Sequence, residues 1–255
     1  KAEYDFDPKS DGELVAGERL GLRDRVWRGV WERFVEAPAL YPGLPDLLRR
    51  AKPTGVLLFE KETWPDANDE AEKVLRKALI QLADVPAAEA RERIGKLENE
   101  HAVRRQWIWA KLGQSPLAKA LAHLAALAKH TTAGLGGDSP VAMAGLYANG
   151  GYLADDAVLR ALAEVKSAQD HEAVSAAART MYLPWLEDAA EHFQKLVAAS
   201  PLPAKEGGAQ TPISVEAGTC ILFVDGLRFD LGKRLAASPN TPCDALRTIL
   251  EDPHS

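Results

Sequence analysis

With 255 residues, 46% of them apolar, and a net charge of −6, the chain has material for one large or two modest cores, and its acidic balance excludes a generally basic nucleic-acid-binding body. No apolar run approaches the ~20 residues of a membrane span, and no charged-then-apolar leader opens the sequence. Cys220 and Cys243, the only two cysteines, give neither a disulfide framework nor a paired-cysteine metal motif, which points to a reducing cytoplasm.

The acidic, turn-rich residues 1–20, with Tyr4-Asp5-Phe6-Asp7-Pro8, read as an extended lead-in. Leu22, Val26, Trp27, Val30, Trp31 and Phe34 then recur every three or four residues, which predicts an amphipathic helix ended by Pro38. Gly55-Val56-Leu57-Leu58-Phe59-Glu60 is a weak strand candidate. Asp66 is expected to cap a helix whose inward face is Ala71, Val74, Leu75, Ala78, Leu79 and Leu82, with Asp69/Lys73 and Glu72/Arg76 as exposed pairs. Pro86 starts the next helix, which runs to a left-handed cap at Gly113 with Glu89/Arg93, Glu92/Lys96 and Glu100/Arg104 outward.

Ser115-Pro116 and Ser139-Pro140 repeat one start signal, a capping hydroxyl followed by proline at the first helical position. Asn149-Gly150-Gly151 reads as a loop, and Val158, Leu159 and Leu162 mark another helix. Pro184 is expected to break the following one, so that Pro184 to Ala199 starts afresh. The proline- and glycine-rich stretch 200–218 is the best boundary in the chain. The predicted organisation is a helical region at 1–199, a linker at 200–218 and a different, incomplete segment at 219–255. Since the chain begins at Lys1 and ends without a terminal element, it reads as a piece of a longer protein.

The sharpest chemical signal is Cys220-Ile221-Leu222-Phe223-Val224-Asp225-Gly226. A short, β-rich apolar run between Gly218 and Asp225-Gly226 favours a buried strand, and a carboxylate at its end sits where open α/β sheets collect ligands. Asp225 there suits Mg²⁺ or Mn²⁺ and is accepted by Zn²⁺. The competing reading is a plain turn, or a cap on the helix carrying Leu227, Leu231 and Leu235.

The string Phe223-Val224-Asp225-Gly226-Leu227-Arg228-Phe229-Asp230, followed by Lys233-Arg234, resembles the start of the PglZ domain, a branch of the alkaline phosphatase superfamily found in BREX phage-defence systems. Trp64-Pro65 with Asn68, Trp107-Ile108-Trp109 and Tyr182-Leu183-Pro184-Trp185-Leu186 are similar to the amino-terminal half of such proteins. The resemblance implies a mainly α region followed by the first strand and helix of a truncated α/β core. It makes Asp225 a metal ligand, with Arg228 and Asp230 supporting the next helix. It further implies a parent that is a metal-dependent phosphatase or phosphodiesterase, nuclease activity included, using Zn, or Mg/Mn, and a Ser or Thr nucleophile. This stretch alone would be inactive and hold no metal, and would dock other BREX defence proteins, the parent also touching nucleic acid. No catalytic residue is identified, since Ser238 and Thr241 fit a turn better than a nucleophile. One alternative is a non-catalytic helical protein-interaction scaffold. Another is a different hydrolase of the superfamily, which the long helical region counts against.

Other constellations are weaker. Glu98-x-x-His101 has di-iron spacing but no second copy. His123, His130, His171 and His192 are expected to be ordinary core or surface histidines, and Gly134-Leu135-Gly136-Gly137 lacks the lysine of a phosphate loop. Trp107 and Trp109 point to opposite helix faces, so one is a candidate for exposure, and Arg104-Arg105 beside them are expected on a solvated face.

Overall fold

The computed structural model describes residues 4–53, 61–200 and 225–237. Its α-helices are α1 (Gly12–Leu22), α2 (Trp27–Glu36), α3 (Leu44–Ala51), α4 (Pro65–Ile80), α5 (Ala87–His101), α6 (Ile108–Lys111), α7 (Pro116–His130), α8 (Pro140–Leu146), α9 (Tyr152–Ala163), α10 (Ala168–Ala199) and α11 (Phe229–Ala237). Short 3₁₀ turns link several of them, and no strand occurs among the described residues.

Two apolar cores form. The first gathers Leu20, Trp27, Trp31, Phe34, Leu48 and Trp64 with Ile108 and Trp109. The residues read as an extended lead-in contain α1, because Gly17 and Gly21 line a helix face rather than a turn. A Cβ on Gly17 would stand 2.7 Å from that of Ala51, and one on Gly21 would overlap the Trp64 ring. Only a bare backbone lets α1 lie this close to α3 and Trp64. The aromatic run starts later than its periodicity suggests: Leu22 and Val26 stay exposed, and a tight turn with left-handed Arg23 and Arg25 separates α1 from α2.

The second core surrounds α7, whose Leu117, Leu121, Leu124 and Leu127 are completely buried. Leu75 and Leu79 of α4, Ala90 and Ile94 of α5, Ala154, Ala157 and Ala161 of α9, and Ala173, Val174, Ala177 and Met181 of α10 pack on it. The many alanines favour close helix approach, while each buried leucine contributes roughly 1.5–3 kcal/mol. Pro184 does not restart a helix: α10 continues through it for 32 residues. Pro184 faces solvent, where water can satisfy the carbonyl its missing N–H leaves free, and buried Met181 and Trp185 hold the chain on either side. Trp185 also donates from Nε1 to the Ala133 carbonyl at 3.0 Å.

A buried polar knot joins α4, the turn after α5 and the start of α7. Glu72 accepts hydrogen bonds from the backbone N–H of Leu117 at 2.8 Å and of Ala118 at 3.2 Å, and from Arg104 Nη2 at 2.6 Å. It thus caps α7 from another helix and occupies the positive end of its dipole. Ser115, the residue expected to cap α7, instead donates its hydroxyl to Asn68 Oδ1 at 2.8 Å, and Asn68 Nδ2 donates to the Gln114 carbonyl at 2.7 Å. At Ser139 the expected cap forms, its hydroxyl accepting from Ala142 N.

These observations correct the expected fold class. The described residues are helical throughout, without the strand or sheet of an alkaline-phosphatase-like core, and α11, expected to be the first helix of that core, packs on α9. The strand candidates at 55–60 and 220–224, and the segment holding Ser238 and Thr241, lie outside the described residues.

Two consequences are measurable. Glu72→Ala leaves the Arg104 guanidinium buried without its partner and uncaps α7, so urea unfolding should show a loss of about 3–5 kcal/mol; a loss below about 1 kcal/mol, the size of a surface pair, would contradict the assignment. Burial, with the Arg104 guanidinium beside it, holds His101 below its ordinary 6.5, and burial does the same to His123 and His130. The unfolded chain regains the ordinary value and so binds more protons as pH falls below it. Stability contributed by these rings is complete above that value and is lost on acidification, so the thermal midpoint should drop from pH 7.5 to 5.5, less steeply in His101→Gln.

Candidate functional site

The densest cluster of titratable side chains outside the Glu72 knot is the seat of α11 on α9. The Asn149-Gly150-Gly151 stretch is a π-helical turn over Tyr147–Gly151 rather than a loop, and it runs directly into α9. Its wider turn, closed by the Tyr152 N–H on the Tyr147 carbonyl, sets two tyrosines around one aromatic partner. The Phe229 ring of α11 lies 5.8 Å from that of Tyr147 and 5.5 Å from that of Tyr152. Each such contact contributes about 0.5–1.5 kcal/mol beyond buried area.

Beside this aromatic seat, Asp155 of α9 accepts from the Tyr147 hydroxyl at 2.6 Å and from the Tyr182 hydroxyl of α10. Both phenols are pushed well above their ordinary range, first by burial and then by the Asp155 carboxylate that binds their protons. They therefore donate hydrogen bonds and do not ionise. Arg228 stands 3.7 Å from Asp155 and donates from Nε to Asp230 at 3.0 Å, Asp230 itself being fully buried. The next residue of α9, Asp156, about 100° farther round the helix, takes Arg160 at 2.5 Å and Arg234 of α11 at 3.5 Å. The arrangement is an alternation of donors and acceptors that fastens a short helix to a bundle.

Arg228 and Asp230 of the recognised string thus pair with each other and dock α11. Asp225 lies upstream in an exposed turn with Gly226 at φ +68°. Among the described residues no group of three or more His, Cys, Asp or Glu side chains is placed to hold a metal ion, which with the missing sheet overturns the phosphatase, phosphodiesterase and metalloenzyme reading of the function.

The remaining motifs are structural. Glu98 is held by Arg105, and His101 Nδ1 faces Arg104 Nη1 at 3.1 Å. Arg104 is 3% exposed, so the expected solvated face is a buried one. Trp109 is fully buried and donates from Nε1 to the Glu62 carbonyl, while Trp107 is half-buried beneath Arg104. His123 lies 3.8 Å from Glu164, and His192 Nε2 contacts the Gly137 carbonyl. Sequence reasoning missed Tyr147, Asp155, Asp156 and Tyr182. An available signal was two adjacent aspartates in a helix that is otherwise mostly alanine and leucine.

A second surface feature lies on α10. Its last buried residue is Ala189, yet the helix continues to Ala199. Leu183, Leu186 and Phe193 on this half are 43%, 41% and 38% exposed. With Ala190 and Val197 they are spaced by alternating steps of three and four, the seam of a helix that receives another helix. No helix among the described residues is long and apolar enough to cross a membrane.

No family model, curated protein or solved structure matches this chain. The resemblance to PglZ proteins is corrected accordingly: the all-helical described residues are inconsistent with that family's α/β fold, and no matching family model supports it.

The aromatic seat is testable. Phe229→Ala removes both ring contacts, about 1–3 kcal/mol, and should speed amide exchange across residues 229–237 by about 10–100-fold while that of α7 stays unchanged. Equal acceleration in α7 would show that α11 is not an independent attachment.

Proposed function

We propose that this chain is a non-catalytic helical scaffold that docks a partner protein along the outward face of α10. The supporting observation is the apolar seam of Leu183, Leu186, Ala190, Phe193 and Val197, carried on a helix that runs ten residues, about 15 Å, past its last buried position. Such a seam is the recognition surface for an amphipathic helix. Its exposed flank carries Glu187 and Glu191, with Lys195 paired to Glu191 at 3.6 Å, so the occupant is a helix with an apolar stripe flanked by Lys or Arg. The second core holds α10 through Ala173, Val174, Ala177, Met181 and Trp185. In this reading residues 1–199 are the scaffold, 200–218 connect it to the segment 219–255, and the setting is the reducing cytoplasm suggested by cysteine usage.

A photo-crosslinking residue at Leu186 or Phe193, introduced in the source cells, should give one discrete adduct whose linked peptide is a basic amphipathic helix. The same probe at Val74 or Val103, both exposed on other elements, should not. Leu186→Glu with Phe193→Glu should abolish the adduct partner's co-purification with the thermal midpoint retained. Identical adducts from all four positions, or metal-dependent turnover of phosphate esters by the purified chain, would contradict the proposal.

A further inference from the structure

Between α9 and α11 lies an open hollow of about 300 Å³ lined by Tyr152, Asp156, Arg160, Lys233 and Arg234 among others. We propose that it binds a protonated phosphate group, either free hydrogen phosphate or a terminal phosphate monoester. Arg160 and Arg234 converge there on the Asp156 carboxylate, with Lys233 in the same lining. The bond from Arg160 to Asp156 Oδ2 uses Nε, and no described residue accepts from its two terminal amino groups. Arg234 reaches Asp156 Oδ1 only as an ion pair at 3.5 Å, so its fork is likewise available, and Lys233 Nζ lies 5.4 Å from the centre of the Phe229 ring. Paired guanidinium forks match the geometry of phosphate oxygens.

Asp156 sharpens the class of anion. Its Oδ1 is buried and lacks a hydrogen-bond donor among the described residues. A buried acceptor without a donor is costly, and an anion that brings its own O–H supplies one. Inorganic phosphate carries that proton at neutral pH, and a phosphate monoester carries it in the singly protonated form that prevails below pH about 6. Sulfate and the phosphodiester backbone of a nucleic acid do not, and the carboxylate repels both. The bound group would bridge Arg160 of α9 and Arg234 of α11, reinforcing the attachment of α11 through a contact separate from the α10 seam.

Titration calorimetry on the whole chain at constant ionic strength tests this with inorganic phosphate, a phosphoserine peptide and sulfate. Saturable one-to-one binding of phosphate is expected with Kd at or below about 1 mM, slower amide exchange in α11, and sulfate at least about 10-fold weaker. Arg234→Gln should weaken phosphate by about 10-fold or more while amide exchange in α7 stays unchanged. Asp156→Asn should erase or reverse the preference over sulfate while binding itself persists. A peptide that matches or exceeds inorganic phosphate identifies the monoester as the ligand, and a silent peptide identifies the free ion. No saturable heat with phosphate, equal affinity for sulfate, or an Arg234→Gln variant that binds as before would overturn the proposal.

Discussion

The fold depends on one buried ion pair used as a helix cap. Glu72 and Arg104 have side chains 7% and 4% exposed, and the carboxylate also takes two backbone N–H groups from the first turn of α7. Two charges withdrawn this far from water are tolerated only when nearly every lone pair and proton is satisfied. Asn68 accepts from Arg104 Nη2 and from the Ser115 hydroxyl, while Arg104 Nε is left buried without an acceptor among the described residues. Because α7 is the central helix of the second core and the Arg104 turn leads into α6 of the first, the knot joins the two cores.

From that geometry follow the two surfaces of interest. On one side, α9 and the π-helical turn present Tyr147, Tyr152, Asp155 and Asp156 as a seat that only a segment with an aromatic and alternating charges can fill, and Arg228-Phe229-Asp230 fills it. On the other, α10 outlasts the core that supports it. The first surface is satisfied within the chain, with a cationic hollow left at its edge, whereas among the described residues the second has no cover.

What the sequence made legible was local. Periodicity located Leu75, Leu79 and Ile94 in the core and the Glu89/Arg93 and Glu92/Lys96 pairs form as spaced, but the helix expected to reach Gly113 ends at His101, and the left-handed Gly113 closes the short α6 instead. It failed where partners are distant in the chain. Glu72 and Arg76 look like an exposed pair one turn apart, yet Glu72 turns inward to Arg104 and Arg76 reaches Asp170 at 2.7 Å. No spacing rule anticipates those choices, since tertiary burial decides them. Pro184 and Asn149-Gly150-Gly151 carry breaker residues, but packing on both sides carries helix through each. The string around Asp225 suggested a strand-end site by its local pattern, while the residues that decide the role of its second half, Asp155 and Tyr147, lie more than seventy positions earlier.

The central claim is that residues 228–237 belong to the helical assembly and serve its attachment. Nuclear Overhauser contacts of a selectively labelled Phe229 ring test it most directly. Cross-peaks to the rings of both Tyr147 and Tyr152 are expected, at centroid separations of 5.8 and 5.5 Å. Cross-peaks only to residues 219–224, with none to either tyrosine, would contradict it.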